Sequence, residues 1–259
     1  MIWVNVRPAL PGLRGGVQNR VSMMPADPPR QAQADPCADC DARGESVCNA
    51  IGDEFLPRLA EATQVMHIDP GQCFITEGEP ADAFFNITAG SAKLYKLMAD
   101  GRRQITGFAV RGHFLGLAVS ATYAFSAEAI EPVRLCRFTR ARLFRLLAEF
   151  PALERRLLER AATELVAAQE QMLLLGRKTA RERVASFLRA QALAAPCGRP
   201  RAVVALPMRR GDIADYLGLT IETVSRTLTR LRAEGIIEIP DQTRVLLRDP
   251  GRLARAAEG

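Results

Sequence analysis

Gly211-Asp-Ile-Ala-Asp-Tyr-Leu-Gly-Leu-Thr-Ile-Glu-Thr-Val-Ser-Arg226 is the stretch whose reading decides the fold. It reads as a helix, a turn at Leu217-Gly218-Leu219, and a second helix N-capped by Thr220. Downstream, Ile236 to Ile239, a turn at Pro240-Asp241-Gln242, and Arg244 to Leu247 make a hairpin. A helix-turn-helix followed by a hairpin is the pattern of a winged DNA-binding domain, whose second helix offers its early residues to base edges. Glu222, Ser225 and Arg226 lie at i, i+3 and i+4, so one face presents all three. Arg226 can bond guanine O6 and N7, Glu222 can accept from cytosine N4, and Ser225 can serve several bases. An ordinary solvated Glu222–Arg226 salt bridge is the plainer reading of the same pair. Arg209, Arg210, Arg230, Arg232 and Arg244 suit phosphates, which give affinity without sequence information.

Upstream, a helix over 179–190 and a loop with Pro196, Gly198 and Pro200 precede this motif. From Thr139 to about Leu175 the chain reads as helical, with Pro151 separating a short helix from a long one. Along the long helix Leu158, Ala162, Leu165, Gln169 and Met172 alternate by four and three, with Val166 and Leu173 beside them. That narrow seam fits a paired helix better than a broad core face, although the same residues could pack on the chain's own body. Between Val65 and Phe138, short strand patterns are punctuated by Gly71, Gly78, Gly90, Gly101, Gly107, Gly112 and Gly116. Segments 84–87 and 92–97 read as strands and Ala99-Asp100-Gly101 as a hairpin turn. Such a series predicts a small antiparallel barrel or jelly roll. Before it, residues 53–62 read as a short amphipathic helix with Phe55, Leu56 and Leu59 inward.

Near the start of the chain stand Cys37, Cys40 and Cys48, a C-x2-C-x7-C run holding three of six cysteines. Such spacing lets one loop wrap a soft metal centre; stray cysteines or a local disulfide are the alternatives. Cys73 reads as a small buried apolar residue, and Cys197 falls in a loop. Residues 1–36 carry six prolines without periodicity and read as a disordered leader, with Met23 or Met24 a possible true start.

The 259 residues allow two domains, and a hydrophobic share of 48% with 25% charged residues fits a soluble globular protein. A net charge of +6 suits an anionic partner without naming it. No signal-peptide core is seen at the start, and the longest apolar run, 114–125, is too short to span a bilayer. A cytoplasmic, non-membrane protein is expected, whose reduced thiols favour metal over disulfide. No P-loop or nucleophile elbow is present, and two histidines, His67 and His113, leave little for acid–base catalysis, so no enzyme is expected.

Over residues 37–250 the sequence resembles the CRP/FNR superfamily of bacterial regulators, and within it the FNR branch. The stretch 211–226 carries the likeness, with its E-x-x-S-R signature, as do Gln104–Phe108 and Gly112–Gly116. The resemblance implies an α+β chain: a leader (1–36), a cysteine-rich segment (37–51), a cyclic-nucleotide-binding-like β-roll (52–140), a dimerisation helix (141–178) and a winged helix-turn-helix (179–259). It implies a homodimer that reads a TTGAT-N4-ATCAA-like palindrome in double-stranded DNA through Glu222, Ser225 and Arg226 and works with RNA polymerase. It also implies an oxygen-labile [4Fe-4S] cluster on Cys37, Cys40, Cys48 and a fourth ligand, Cys136, 88 residues beyond Cys48. Related proteins often place an acid in the dimer seam where this chain has Gln169. A neutral amide opposes association less than a buried charge, so the cluster-free chain should dimerise readily. Within the same fold, a cyclic nucleotide is disfavoured because residues 112–131 contain no Arg or Lys for its phosphate. Zinc on the same thiols, with thiol-redox sensing, and haem on the histidines are the remaining alternatives.

Overall fold

A computed structural model describes residues 36–117, 121–193 and 202–259. Residues 1–35 of the 1–36 leader, and Cys197, lie outside the described residues. The cysteine segment runs through short 3-10 turns into α1 (Leu56–Ala62). Then come strands β1 (Thr63–Ile68), β2 (Cys73–Ile75), β3 (Ala83–Ala89), β4 (Ser91–Leu97), β5 (Arg103–Val110), β6 (Phe114–Leu115), β7 (Ser126–Ala129) and β8 (Val133–Thr139). They form two antiparallel sheets, ordered β1-β8-β3-β6 and β2-β7-β4-β5, whose facing side chains share one core. This is the β-roll that the glycine-punctuated pattern predicts. Gly107 is a correction: it sits inside β5, opposite Leu94, next to a register shift between Leu94 and Tyr95. A glycine within a strand marks an irregularity in pairing as often as its end.

β8 is central to the first sheet, between β1 and β3. The pleat sends its successive side chains to opposite faces. Val133 and Leu135 therefore enter the barrel core, while Cys136 and Phe138 enter a second core. That second core is closed by the cysteine segment, by α1, by α2 (Arg140–Glu149) and by the first turns of α3 (Pro151–Arg177). Pro151 opens α3, where a missing N–H costs nothing. Leu56 and Leu59 point inward as expected, but Phe55 is exposed and rests against Phe150 at 5.3 Å. Residues 53–55 form a 3-10 turn rather than the first turn of α1, which rotates Phe55 off the buried face.

The C-terminal body comprises α4 (Ala180–Leu193), β9 (Val203–Ala205), α5 (Arg210–Leu217), α6 (Ile221–Ala233), β10 (Ile237–Glu238), β11 (Arg244–Leu247) and α7 (Pro250–Glu258). α5 ends at Gly218, whose φ of +61° closes the turn in the left-handed conformation that glycine adopts freely. The Thr220 hydroxyl accepts from the Thr223 N–H, capping α6. The wing gains a third strand, in the order β10-β11-β9, and α7 packs on α4; the sequence pattern suggested neither.

The roll grips the helix-turn-helix directly. Buried Lys93 of β4 sits 3.2 Å from Asp212 of α5 and 2.9 Å from Glu128. Arg103 of β5 reaches Asp212 at 3.0 Å and Asp215 at 2.8 Å. Phe108, Phe187 and Tyr216 pack as tilted rings beside this network. Asp212 also accepts from the Arg209 N–H, so Asp212→Asn keeps an oxygen for the cap but weakens the charge network. The variant should lose about 1.5–3 kcal/mol of stability in urea unfolding, with secondary structure by circular dichroism unchanged.

Candidate functional site

Cys37, Cys40, Cys48 and Cys136 line a single cavity of ≈ 10 Å³. The first three arrive on the N-terminal loop, the last on β8. Two short 3-10 turns, Arg43–Glu45 and Val47–Ala50, shape the loop. Ser46, fully buried between them, accepts from the Cys48 N–H at 3.2 Å. Val47 and Ile51 anchor the loop in the second core. None of these cysteines is in a disulfide. Burial pushes the Cys48 thiol up to about 11, against the Ser46 hydrogen bond and the Arg43 charge. Burial, and then Cys48 and Cys40, push Cys136 up to about 12.

Among the other residues that line the same cavity, Arg43 and Asn86 carry unsatisfied polar atoms, and the sequence reading gave neither a site role. Arg43 directs Nη1 to Asp53 at 2.5 Å and donates Nη2–H to the Ile51 carbonyl at 2.7 Å. Its buried Nε has no partner, and neither has the buried Oδ1 of Asn86, opposite Cys136 in the sheet register. An asparagine within the apolar run Phe84-Phe85-Asn86-Ile87 was the one signal of this in the sequence.

The donor set fits a thiolate-ligated group: four sulfurs, a cation and unsatisfied polar atoms around one space. The space itself holds about one water. Among the described residues, no three or more His, Cys, Asp or Glu are placed to hold a single metal ion. A multi-iron cluster spaces its thiolates more widely than one ion does, and the loop would have to move outward to admit it. The loop is also clipped to its surroundings. Glu45 pairs with Arg111 at 2.5 Å, and its carbonyl accepts from Arg160 of α3. Gly112 passes so close that a Cβ there would lie 2.8 Å from the Glu45 carbonyl oxygen.

Cys73 is a correction: it is exposed on the short strand β2, its thiol donating to the Ile75 carbonyl at 2.9 Å. β2 is at a sheet edge, where a side chain directed away from the core meets solvent. His67 is exposed on β1, and His113, half-buried at the turn before β6, is held below its usual pKa by burial.

On α6, Val224, Leu228 and Leu231 face the core, which leaves Glu222, Ser225 and Arg226 in solvent. No ion pair joins Glu222 and Arg226 among the described residues, although the Arg226 charge helps lower the Glu222 pKa after its own backbone N–H and Thr220. Arg209 and Arg232 are exposed; Arg230 pairs with Glu234 at 3.1 Å and Arg244 with Asp241 at 2.6 Å. Arg210 is half-buried with Nη1 unpartnered, and burial lowers its pKa. On α3, Leu153 and Leu157 are buried in the chain's own core. Leu158, Leu165, Val166, Met172 and Leu173 are exposed, at 54–65%, as are Ala162 and Gln169. The chain's own roll does not cover the seam.

A β-roll joined through a long helix to a winged helix-turn-helix, with an uncovered reading face, defines a DNA-binding regulator. The Crp-like helix-turn-helix domain matches residues 182–256 and the cyclic nucleotide-binding domain residues 65–150. The nitrogen fixation regulation protein FixK of Bradyrhizobium diazoefficiens is 43% identical, over 85% of this chain and 93% of its own length. The transcriptional activatory protein AadR of Rhodopseudomonas palustris is 45% identical, over 82% and 89%. The solved structure of FixK2 from Bradyrhizobium japonicum superposes with a TM-score of 0.69 at 37% identity, covering 75% of this chain and 96% of that one. The chain belongs to the CRP/FNR family and is an FNR-type DNA-binding regulator.

The raised thiol pKa values carry a pH dependence. A thiol alkylates as its thiolate, so in metal-free protein near neutral pH Cys73 should react well before Cys48 and Cys136. The rates at Cys48 and Cys136 should climb as pH rises toward 11 and 12. Peptide mass mapping after timed iodoacetamide pulses measures this; equal labelling of all sites would contradict the burial.

Proposed function

We propose that this chain is an oxygen-responsive transcriptional activator that binds a [4Fe-4S] cluster through Cys37, Cys40, Cys48 and Cys136. The observation that carries the reading is the gathering of four thiols, three from a loop and one from β8, around one cavity beside α3. Zinc on the same sulfurs, which as placed do not hold a single ion, is the alternative, and metal analysis separates the two. When bound, the cluster would supply an oxygen-labile link between loop and roll.

The chain's own residues do the rest. Cys136 offers a fixed sulfur from a strand paired on both edges. Cys37, Cys40 and Cys48 bring the loop to it, and Glu45 passes the loop's position to α3 through Arg160. The uncovered apolar line from Leu158 to Leu173 pairs with a second copy of the chain. Pairing sets two α6 helices about one DNA turn apart, ~34–36 Å, on a TTGAT-N4-ATCAA-like palindrome. Cluster binding would then favour the DNA-competent dimer by differential affinity, as any allosteric ligand does. RNA polymerase is the partner expected of a transcriptional activator. With no Arg or Lys in residues 112–131, the roll lacks a cation there for a cyclic nucleotide phosphate.

Protein purified without oxygen should show a visible iron–sulfur absorption that fades in air, with iron and sulfide in equal amounts. Stoichiometric zinc without sulfide would refute the cluster. Cys136→Ala should abolish oxygen-dependent activation in a reporter strain. In gel-shift titrations Arg226→Ala should lose about 1–3 kcal/mol of preference for the palindrome over a version changed at the guanine. Equal binding of palindrome and scrambled DNA by the unaltered protein would refute the sequence-reading role.

A further inference from the structure

Arg43 is unusual for where its guanidinium is held rather than for being charged. Two of its nitrogens are committed, Nη1 to Asp53 at 2.5 Å and Nη2 to the Ile51 carbonyl at 2.7 Å. Both partners lie on the same loop, so the fork is fixed with respect to the cysteines beside it. The third nitrogen, Nε, is buried without a partner, and Arg43 is one of the residues that line the thiol cavity. A buried donor left unpaired costs about 1–3 kcal/mol, so it calls for a partner that the chain itself does not supply. The acceptors on that wall include the four cysteine sulfurs and the unpartnered Asn86 oxygen. A neutral thiol is a weak acceptor. A metal-bound thiolate or a cluster sulfide, carrying negative charge, is a far stronger one.

We infer that Arg43 is a positioning residue for the bound cluster, donating its Nε–H to a cluster or cysteine sulfur and opposing the cluster's negative charge. The inference rests on the cluster reading above and adds to it a residue outside the ligand set. Hydrogen bonds to the sulfurs are among the levers by which a protein sets the properties of an iron–sulfur centre. They also hold the ligands against loss of iron. The Asp53–Arg43–Ile51 arrangement would thus do two things. It would shape the loop before the cluster arrives and present a donor once it has.

Arg43→Lys keeps the charge but loses the planar fork and the Nε–H. Asp53→Asn weakens the fork's anchor but keeps both the guanidinium and its Nε–H. Each full-length protein, purified anaerobically, is given a fixed excess of a ferrous chelator without oxygen, and the first-order loss of visible absorbance is followed. Arg43→Lys should lose its cluster about 10-fold faster or more than the unaltered protein, whereas Asp53→Asn should stay within about threefold of it. Resonance Raman of the unaltered protein in D2O should show a shifted Fe–S stretch, and Arg43→Lys should reduce that shift. Equal acceleration by both variants would reduce Arg43 to a loop anchor and overturn the inference, as would unaltered retention in Arg43→Lys. Should Arg43→Lys fail to fold, an unaltered protein with no deuterium-dependent shift still overturns it. A visible iron–sulfur spectrum in the unaltered protein with any of these results sinks the inference alone. No such spectrum at all sinks the cluster reading and the inference with it.

Discussion

The pleat of β8 is the constraint on which the rest of the structure depends. The strand is paired on both sides and covered on both faces, so its alternation must satisfy two cores at once. Leu135 fills the barrel while Cys136, one residue on, faces the other way into the core under the N-terminal loop. A one-residue slip would exchange them, placing a thiol in the barrel and a leucine in the loop's core. Register here is therefore fixed by packing on both sides. It delivers Cys136 to the cysteine loop with the rigidity of a sheet.

From that point the molecule is connected by short-range contacts. The loop touches α3 through Glu45 and Arg160, and α3 begins under the same core that holds Cys136. At the other end the roll reaches α5 through Lys93 and Arg103, both meeting Asp212. A buried Lys93 is tolerable because Glu128 and Asp212 flank it, so its charge is never left alone. The same roll therefore touches the loop, the long helix and the helix-turn-helix. Any movement of the loop has packed side chains, rather than a flexible tether, through which to act.

Much of the DNA-reading body was legible in the sequence because it is made of local signals. A cap at Thr220, a glycine at 218 and the i, i+3, i+4 spacing of Glu222, Ser225 and Arg226 each act within a few residues. They act the same way wherever the segment sits. The same is true of the break at Pro151 and of the hairpin turn at Ala99-Asp100-Gly101. Where the readings went astray, a neighbour distant in sequence had decided the matter. Phe55 turned outward because a 3-10 turn precedes α1 and Phe150 receives its ring. Cys73 stayed in solvent because β2 is a sheet edge. Gly107 fell within a strand because β5 carries one extra residue, Thr106, beside it against β4 and still pairs with β4 before and after it.

The sequence by itself determined the order of the parts: a thiol-rich loop, short strands, a long helix with an apolar seam, and a capped pair of helices. It also determined which face of α6 is free, since helical periodicity needs no tertiary partner. Only the tertiary structure decided what surrounds the thiols. The convergence of Cys136 on the loop, the guanidinium of Arg43 with its unpaired Nε, and the unpaired Asn86 oxygen on the same cavity are all products of sheet register and packing. The physical reason is range. Propensity and capping are settled over a few residues, whereas a cavity is defined by atoms that only a finished fold brings together.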